Sequence, residues 1–234
     1  MHHNIPWSNP NHPSASSLSS FKLRASPSGI DEWPLVAQSG VFVATYVGLA
    51  IGTWAGTRLL DGISSKNLEQ WRNNVIDTTL PLLLGAFFTL AGTAHFTSAQ
   101  AFQDIYPPPG TWGFWYLPGS AAFHVAWTGV VEALGGLGLL FSGTTNLLFA
   151  DDQELELPWS LIQPLSALAL LLLTIVVTPA NIYMFTHGAV MGDAMGQLDL
   201  SFHAIRFGVQ VVLLSLLLSL TKDSFFYVWG DQLD

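Results

Sequence analysis

Residues 158–185 read PWSLIQPLSALALLLLTIVVTPANIYMF, a stretch that contains no charged side chain. At a rise of about 1.5 Å per residue, a helix of this length can cross a hydrocarbon core of about 30 Å. Its long apolar run lacks the alternation that is typical of membrane β-strands, and backbone groups in lipid must pair internally. The stretch therefore predicts a transmembrane helix.

Four further apolar segments have enough residues to span a bilayer. They cover residues 35–60, 78–96, 118–141 and 202–220. With residues 158–185 they predict an all-α integral membrane bundle of five helices, surrounded by the lipid bilayer.

The composition agrees with a membrane protein. Only 10% of the 234 residues are charged and the mean hydropathy is +0.42, whereas soluble domains carry about 25% charged residues. The net charge of -9 and the lack of a basic stripe argue against nucleic acid as a partner. The absence of cysteine excludes disulfides and thiolate metal sites within this chain.

Residues 1–30 differ from the rest of the chain because they are rich in Ser and Pro and have no acidic residue. This composition is typical of an organelle transit peptide, with a processing site around Arg24, and its low Arg content favours a plastid over a mitochondrion. A disordered tail has the same composition, so both interpretations stay open.

Basic residues predict the orientation. If the residues before the first span lie on side A, five spans place residues 61–77 and the C-terminal tail on side B. The basic residues of side B are Arg58, Lys66, Arg72 and Lys222, and they make it the stromal or cytoplasmic side. In a plastid the membrane would be the thylakoid or the envelope. Aromatic residues Trp112, Trp115 and Tyr116, just before the third span, are expected in an interfacial belt on side A.

Polar residues inside the spans are the candidate ligand-binding site, because charges in a bilayer usually face a bundle interior. They are His95, Glu132, Asn181, Arg206 and Gln210. By topology they could line one cavity that opens toward side A, with Arg206 paired to Glu132 and His95 exchanging protons. The alternative is a structural polar cluster in which Glu132 and Arg206 neutralise each other.

Other residues give weaker signals. His124, His187 and His203 could ligate a pigment, but no pair has a metal-ligand spacing on one helix, so no metal site is predicted. The glycines near Gly48 and Gly135 favour tight packing inside one bundle over a dimer face. The Pro- and aromatic-rich residues 106–119 predict a rigid cap on side A.

Four stretches together resemble the DoxX-like membrane proteins. They are AGTAHF at residues 91–96 with FQDIYP at 102–107, GVVEALGGLGLL at 129–140, TPANIYM at 178–184, and Arg206 followed by Gln210. The resemblance implies a four-helix core over residues 78–221. The chain departs from the family in its extra N-terminal helix and basic loop at 31–77, in a longer aromatic- and proline-rich loop after His95, and in the insertion around 188–199. Residues 1–30 and 222–234 are terminal segments outside the core.

The resemblance indicates fold better than activity, because the family includes proteins linked to quinone or thiol redox chemistry and others resembling assembly factors. We therefore carry two functions. The first is a non-catalytic subunit or assembly factor of a larger membrane complex, photosynthetic if the plastid interpretation holds, with other membrane subunits as partners. The second is an oxidoreductase component that binds a quinone or isoprenoid lipid at the polar residues, and a transporter is a third and weaker alternative.

Overall fold

The computed structural model describes residues 26–64, 75, 78–149, 159–192 and 196–230. Those residues include seven α-helices. The helices are α1 (Leu35–Ser64), α2 (Leu80–Thr97), α3 (Ala99–Asp104), α4 (Ala121–Phe149), α5 (Ile162–Val176), α6 (Thr178–His187) and α7 (Leu200–Gly230).

The prediction of five membrane-spanning helices is confirmed for this part of the chain. Five segments are long and apolar enough to cross a bilayer: α1, α2, α4, the run of α5 and α6 over Trp159–His187, and α7. Three helices extend well beyond the predicted spans. Helix α1 continues past residue 60 to Ser64. Helix α4 continues past residue 141 to Phe149, and α7 extends from Leu200 to Gly230.

Close contacts between side chains and glycines give the directions of the helices. Gly85 of α2 lies against Gly136 of α4, and Gly92 lies against Gly129, so α2 and α4 run antiparallel. Helix α5 is antiparallel to α4, since Gly135 packs on Leu170 and Ser142 donates to Gln163 Oε1 at 2.5 Å. The chain thus alternates in direction through these spans.

Helices α1 and α7 run parallel to each other. Gly48, Gly52 and Gly56 of α1 form a groove that receives, in the same order, Phe207, Val211 and Ser215 of α7. At the far end, Lys222 Nζ lies 2.5 Å from Asp61 Oδ1. The expected use of the Gly48 segment for packing inside the bundle is confirmed.

The neighbouring helices therefore follow the order α2, α4, α5, α7, α1. Leucine side chains fill the interior between them, with Leu139, Leu170 and Leu217 fully buried. We call the end at which α1 and α7 begin side A. Side A also carries α3 and the loop from α3 to α4.

The loop before α4 packs into the bundle through Trp112, which is 0% exposed. Its indole N–H donates to Thr186 Oγ1 at 3.0 Å, and its carbonyl accepts from Ser39 Oγ at 2.7 Å. The predicted cap thus contacts both α1 and α6. The prediction that Trp112 belongs to an interfacial belt is wrong, because its ring is enclosed by protein, whereas Tyr116 is 72% exposed.

Several predictions concern residues outside the described ranges. These are the transit segment up to residue 25 and the basic residues Lys66 and Arg72 that help to set the orientation. They stay predictions.

Candidate functional site

A cavity of about 410 Å³ lies near side A among α1, α6 and α7. Three of the five predicted site residues line it: Asn181, Arg206 and Gln210. The other lining residues are Thr45, Thr178, Ile182, Phe185, Leu200, His203, Ala204 and Phe207. Its walls are mostly apolar, and its polar groups converge from α6 and α7.

The break between α5 and α6 creates this polar environment. Pro179 has no N–H, so it cannot pair with the carbonyl four residues earlier, at Ile175. The Tyr46 hydroxyl of α1 donates to that carbonyl at 3.0 Å. A neighbouring helix thereby satisfies a backbone group that the proline leaves without its usual donor, as lipid-embedded helices require.

A chain of hydrogen bonds links the amide side chains beside the cavity. Asn181 Nδ2 donates to Gln210 Oε1 at 3.3 Å, and Gln210 Nε2 donates to Thr178 Oγ1 at 2.7 Å. The Thr178 hydroxyl in turn donates to the carbonyl of Thr174 at 2.9 Å. These bonds fix the rotamers of Asn181 and Gln210 on one wall.

Arg206 carries the positive charge of the cavity. Its Nη2 donates to the carbonyl of Asn181 at 2.9 Å and lies 3.4 Å from Nδ1 of His203. Its Nη1 lies 3.0 Å from Sδ of Met184. All three partners are uncharged acceptors when His203 is neutral.

The other two predicted residues meet at a different place, between α2 and α4. His95 Nε2 lies 3.2 Å from Glu132 Oε2, with both side chains at least 85% buried. The ring of Phe102, from α3, lies over the imidazole with centroids 3.9 Å apart. His95 and Glu132 do not line the cavity described above.

The second nitrogen of His95 indicates where one proton of the ring lies. Nδ1 lies 3.0 Å from the carbonyl oxygen of Val125, which can only accept, and 3.3 Å from Thr128 Oγ1, whose hydroxyl donates to the His124 carbonyl at 2.7 Å. Both neighbours therefore favour the tautomer with a proton on Nδ1. The proton between Nε2 and Glu132 then belongs to either the imidazole or the carboxyl group. The contact is therefore either a neutral imidazole beside a protonated carboxyl group or an imidazolium beside a carboxylate.

The predicted pairing of Glu132 with Arg206 is wrong. Among the described residues Glu132 pairs with His95, and the Arg206 guanidinium contacts Asn181, Met184 and His203. Helix α4 directs Glu132 toward α2, and helix α7 directs Arg206 toward α6. The sequence grouped five residues, and the structure divides them into a pair and a triad.

The sequence analysis missed Thr45 and Tyr46, which bring α1 to the cavity. Their only signal was a pair of adjacent hydroxyl groups near the middle of the first span. His203, a weaker candidate in the sequence, lines the cavity beside Arg206.

The remaining histidines have local partners. His124 Nε2 lies 3.0 Å from the carbonyl of Pro118, and its Nδ1 accepts from the Trp127 indole at 3.1 Å. His187 Nδ1 lies 2.8 Å from Thr186 Oγ1. In the part of the chain that the structure describes, no three His, Asp or Glu residues lie close enough to hold a metal ion.

No family model, no curated protein and no solved structure matches this chain.

Proposed function

We propose that this multi-pass membrane protein binds an amphiphilic small molecule in the cavity between α1, α6 and α7. The observation that carries the proposal is Arg206, a guanidinium at the wall of a largely apolar cavity of about 410 Å³. Ligand pockets commonly have volumes of about 300–1,000 Å³, apolar walls and a few convergent polar groups. An ionisable residue within a membrane span is itself a functional-site candidate, because a charge in the bilayer is costly to keep.

A quinone or an isoprenoid lipid fits this description. Its oxygen atoms can accept from the Arg206 N–H groups, and its chain can contact Ile182, Phe185 and Phe207. The separate His95–Glu132 pair offers a buried proton at another helix contact. Because neither residue of this pair lines the cavity, we assign ligand binding to the cavity and no redox step to the pair.

We also infer that residues 78–221 form a DoxX-like core. The support is that each motif falls in a helix contact: AGTAHF in α2, the Glu132 segment in α4, TPANIYM across the α5–α6 break, and Arg206 with Gln210 in α7. The motif residues thus account for most of the polar contacts described above.

A cavity-filling variant tests the binding function. Ala204 lines the cavity, so Ala204→Phe should displace the ligand, while Ala126→Phe, on an exposed face of α4, should leave it bound. The measurement is mass spectrometry of the lipids, quinones and pigments extracted from each purified variant. A species retained by the wild type and by Ala126→Phe but absent from Ala204→Phe supports the proposal. Equal retention by all three contradicts it.

A subunit or assembly role is the second candidate, and the outer face of α1 favours it. Val43, Val47, Ile51 and Trp54 are all more than half exposed on this face, which offers an apolar surface to another membrane protein. Gentle solubilisation followed by protein mass spectrometry tests this role. A stoichiometric protein partner that is lost when Ile51 and Trp54 are both replaced by alanine supports it, and a chain that purifies alone argues against it. A plastid location of the complex would follow from recovery of that partner in thylakoid or envelope fractions.

A further inference from the structure

We propose that the ligand of the cavity is an anionic amphiphile, with a phosphate or carboxylate headgroup on Arg206 and its chain in the membrane. This inference rests on the proposed binding function and names the class of ligand. It depends on the partners of Arg206, on its depth along α7, and on the nature of the cavity walls.

The first step is the charge balance. A guanidinium has five N–H donors and cannot be deprotonated at ordinary pH. Within the described ranges, three contacts involve Arg206, and none is to a carboxylate: the Asn181 carbonyl, Met184 Sδ and His203 Nδ1. Two N–H donors and the full positive charge therefore remain for a ligand.

The second step concerns the groups around Arg206. The Asn181 and Gln210 amides bond to each other, and Gln210 bonds onward to Thr178. These uncharged side chains are already engaged and do not neutralise the guanidinium. Since the guanidinium has no carboxylate among these partners, an anionic ligand can form a charge-assisted pair with it that a neutral ligand cannot form.

The third step is depth. Helix α7 has 31 residues, which is about 46 Å of rise, and its apolar segment Leu200–Phe226 is long enough to cross a hydrocarbon core of about 30 Å. Arg206 lies six residues after Leu200, about 9 Å from the start of the helix. Arg206 therefore lies in the side A third of the helix, and its long side chain can extend toward the lipid headgroups at that end.

The fourth step is the environment of the chain. Phe185, Leu200 and Phe207 line the same cavity, and Phe207 also packs against Gly48 of α1. Leu200 is 51% exposed and Phe207 is 37% exposed, so the cavity wall continues onto the outer surface of the bundle. A molecule from the bilayer can thus place its headgroup at Arg206 and leave its chain among apolar groups.

The test uses radiolabelled dodecyl phosphate in nanodiscs of zwitterionic phospholipid, which has no net charge. Dodecanol and inorganic phosphate are the competitors, because the first lacks the charge and the second lacks the chain. The wild-type chain should retain dodecyl phosphate in a saturable manner, and each competitor should displace it only at concentrations at least about tenfold higher. Arg206→Gln should weaken retention about tenfold or more, and Arg206→Lys should weaken it less.

Arg58→Gln is the matched control, because Arg58 is an exposed arginine at the other end of the bundle, over the Trp54 ring. It should retain dodecyl phosphate as the wild type does. Circular dichroism checks that each variant is helical. If Arg206→Gln does not fold, the comparison of dodecyl phosphate with dodecanol on the wild type still decides the question.

Three outcomes would overturn the inference. If dodecanol competes as well as the labelled ligand, the site takes neutral amphiphiles, and the binding function stands while the anionic class fails. If inorganic phosphate competes equally, the ligand is a soluble anion and not a membrane amphiphile. If neither amphiphile is retained and Ala204→Phe changes no extracted species, the binding function itself fails.

Discussion

His95 Nε2 of α2 lies 3.2 Å from Glu132 Oε2 of α4, and the opposite nitrogen of the same ring faces the carbonyl of Val125. One imidazole thereby joins a side chain and a backbone group of α4. We expect His95→Ala to lower the free energy of unfolding by about 1–3 kcal/mol, because it leaves the Glu132 carboxyl group buried without its partner. Glu132→Gln keeps an acceptor in place and should cost less.

Thermal unfolding in detergent, followed by circular dichroism, measures this effect. Gln100→Ala is the control, because its exposed bond to Asp104 should contribute little. Equal losses for His95→Ala and Gln100→Ala would contradict a stabilising role for the pair.

The glycine contacts between α2 and α4 give a second prediction. A Cβ atom at Gly92 would meet the backbone nitrogen of Ala133 and lie 2.8 Å from the Gly129 oxygen. Backbone cannot move aside as a flexible side chain can, so Gly92→Ala should destabilise the protein by about 1–3 kcal/mol. Gly208 of α7 has open space around the same position, so Gly208→Ala should be neutral or slightly stabilising. A neutral Gly92→Ala variant in the same melting experiment would show that the two helices are not held this closely.

Trp112 is the basis of a third prediction. Its ring is fully buried, and its φ angle is +55°, a backbone conformation that residues other than glycine rarely adopt. Trp112→Ala should destabilise the cap by about 3–5 kcal/mol, since the ring fills the space between α1 and α6. Limited proteolysis of the loop at residues 105–120 should be much faster in this variant. Tyr116→Ala, at an exposed position, should leave the proteolysis rate unchanged, and the prediction fails if both variants are cut equally fast.

Tyr106, in the loop on side A, gives a prediction about pH. Burial raises the pKa of Tyr106, and within the described residues its buried hydroxyl oxygen has no hydrogen-bond partner. Because the folded chain holds the proton more tightly than the unfolded chain, stability is present below the usual tyrosine value of about 10 and falls as the pH rises above it. Tyr106→Phe has no phenol group to ionise, so its stability should decrease less than that of the wild type as the pH rises.

The measurement for Tyr106 is the difference in melting temperature between wild type and Tyr106→Phe from pH 8 to roughly pH 11. At the alkaline end of this range, the melting temperature of Tyr106→Phe should rise relative to that of the wild type. Tyr116→Phe serves as the control because Tyr116 is 72% exposed. Parallel curves for all three proteins would contradict a buried Tyr106 hydroxyl.

The sequence predicted the spans well because length and hydropathy are properties of each segment alone. The predicted ends were less accurate where polar residues continue a helix. Residues 142–146 read SGTTN, which suggested the end of a span after residue 141, yet Ser142 bonds to Gln163 and Gly143 packs on Leu82. Contacts with neighbouring helices thus keep this turn helical.

The partners of the polar residues were harder to predict. Hydropathy places Glu132 and Arg206 inside spans but does not fix the rotation of each helix about its axis. The structure turns Glu132 toward α2 and Arg206 toward α6, and each finds a closer partner than the other. Trp112 shows the same limit, since its position before a span suggested an interface, and only the path of the loop buries it.

The parallel contact of α1 with α7 has a consequence for biosynthesis. The groove of Gly48, Gly52 and Gly56 is filled by Phe207, Val211 and Ser215, from the last of the five spans. Ribosomes add about 5–20 residues per second, so α1 enters the membrane on the order of ten seconds before its main helical partner is made. During that interval the groove faces lipid or the insertion machinery, and a chain that stops before α7 would leave it permanently open for recognition by quality-control factors.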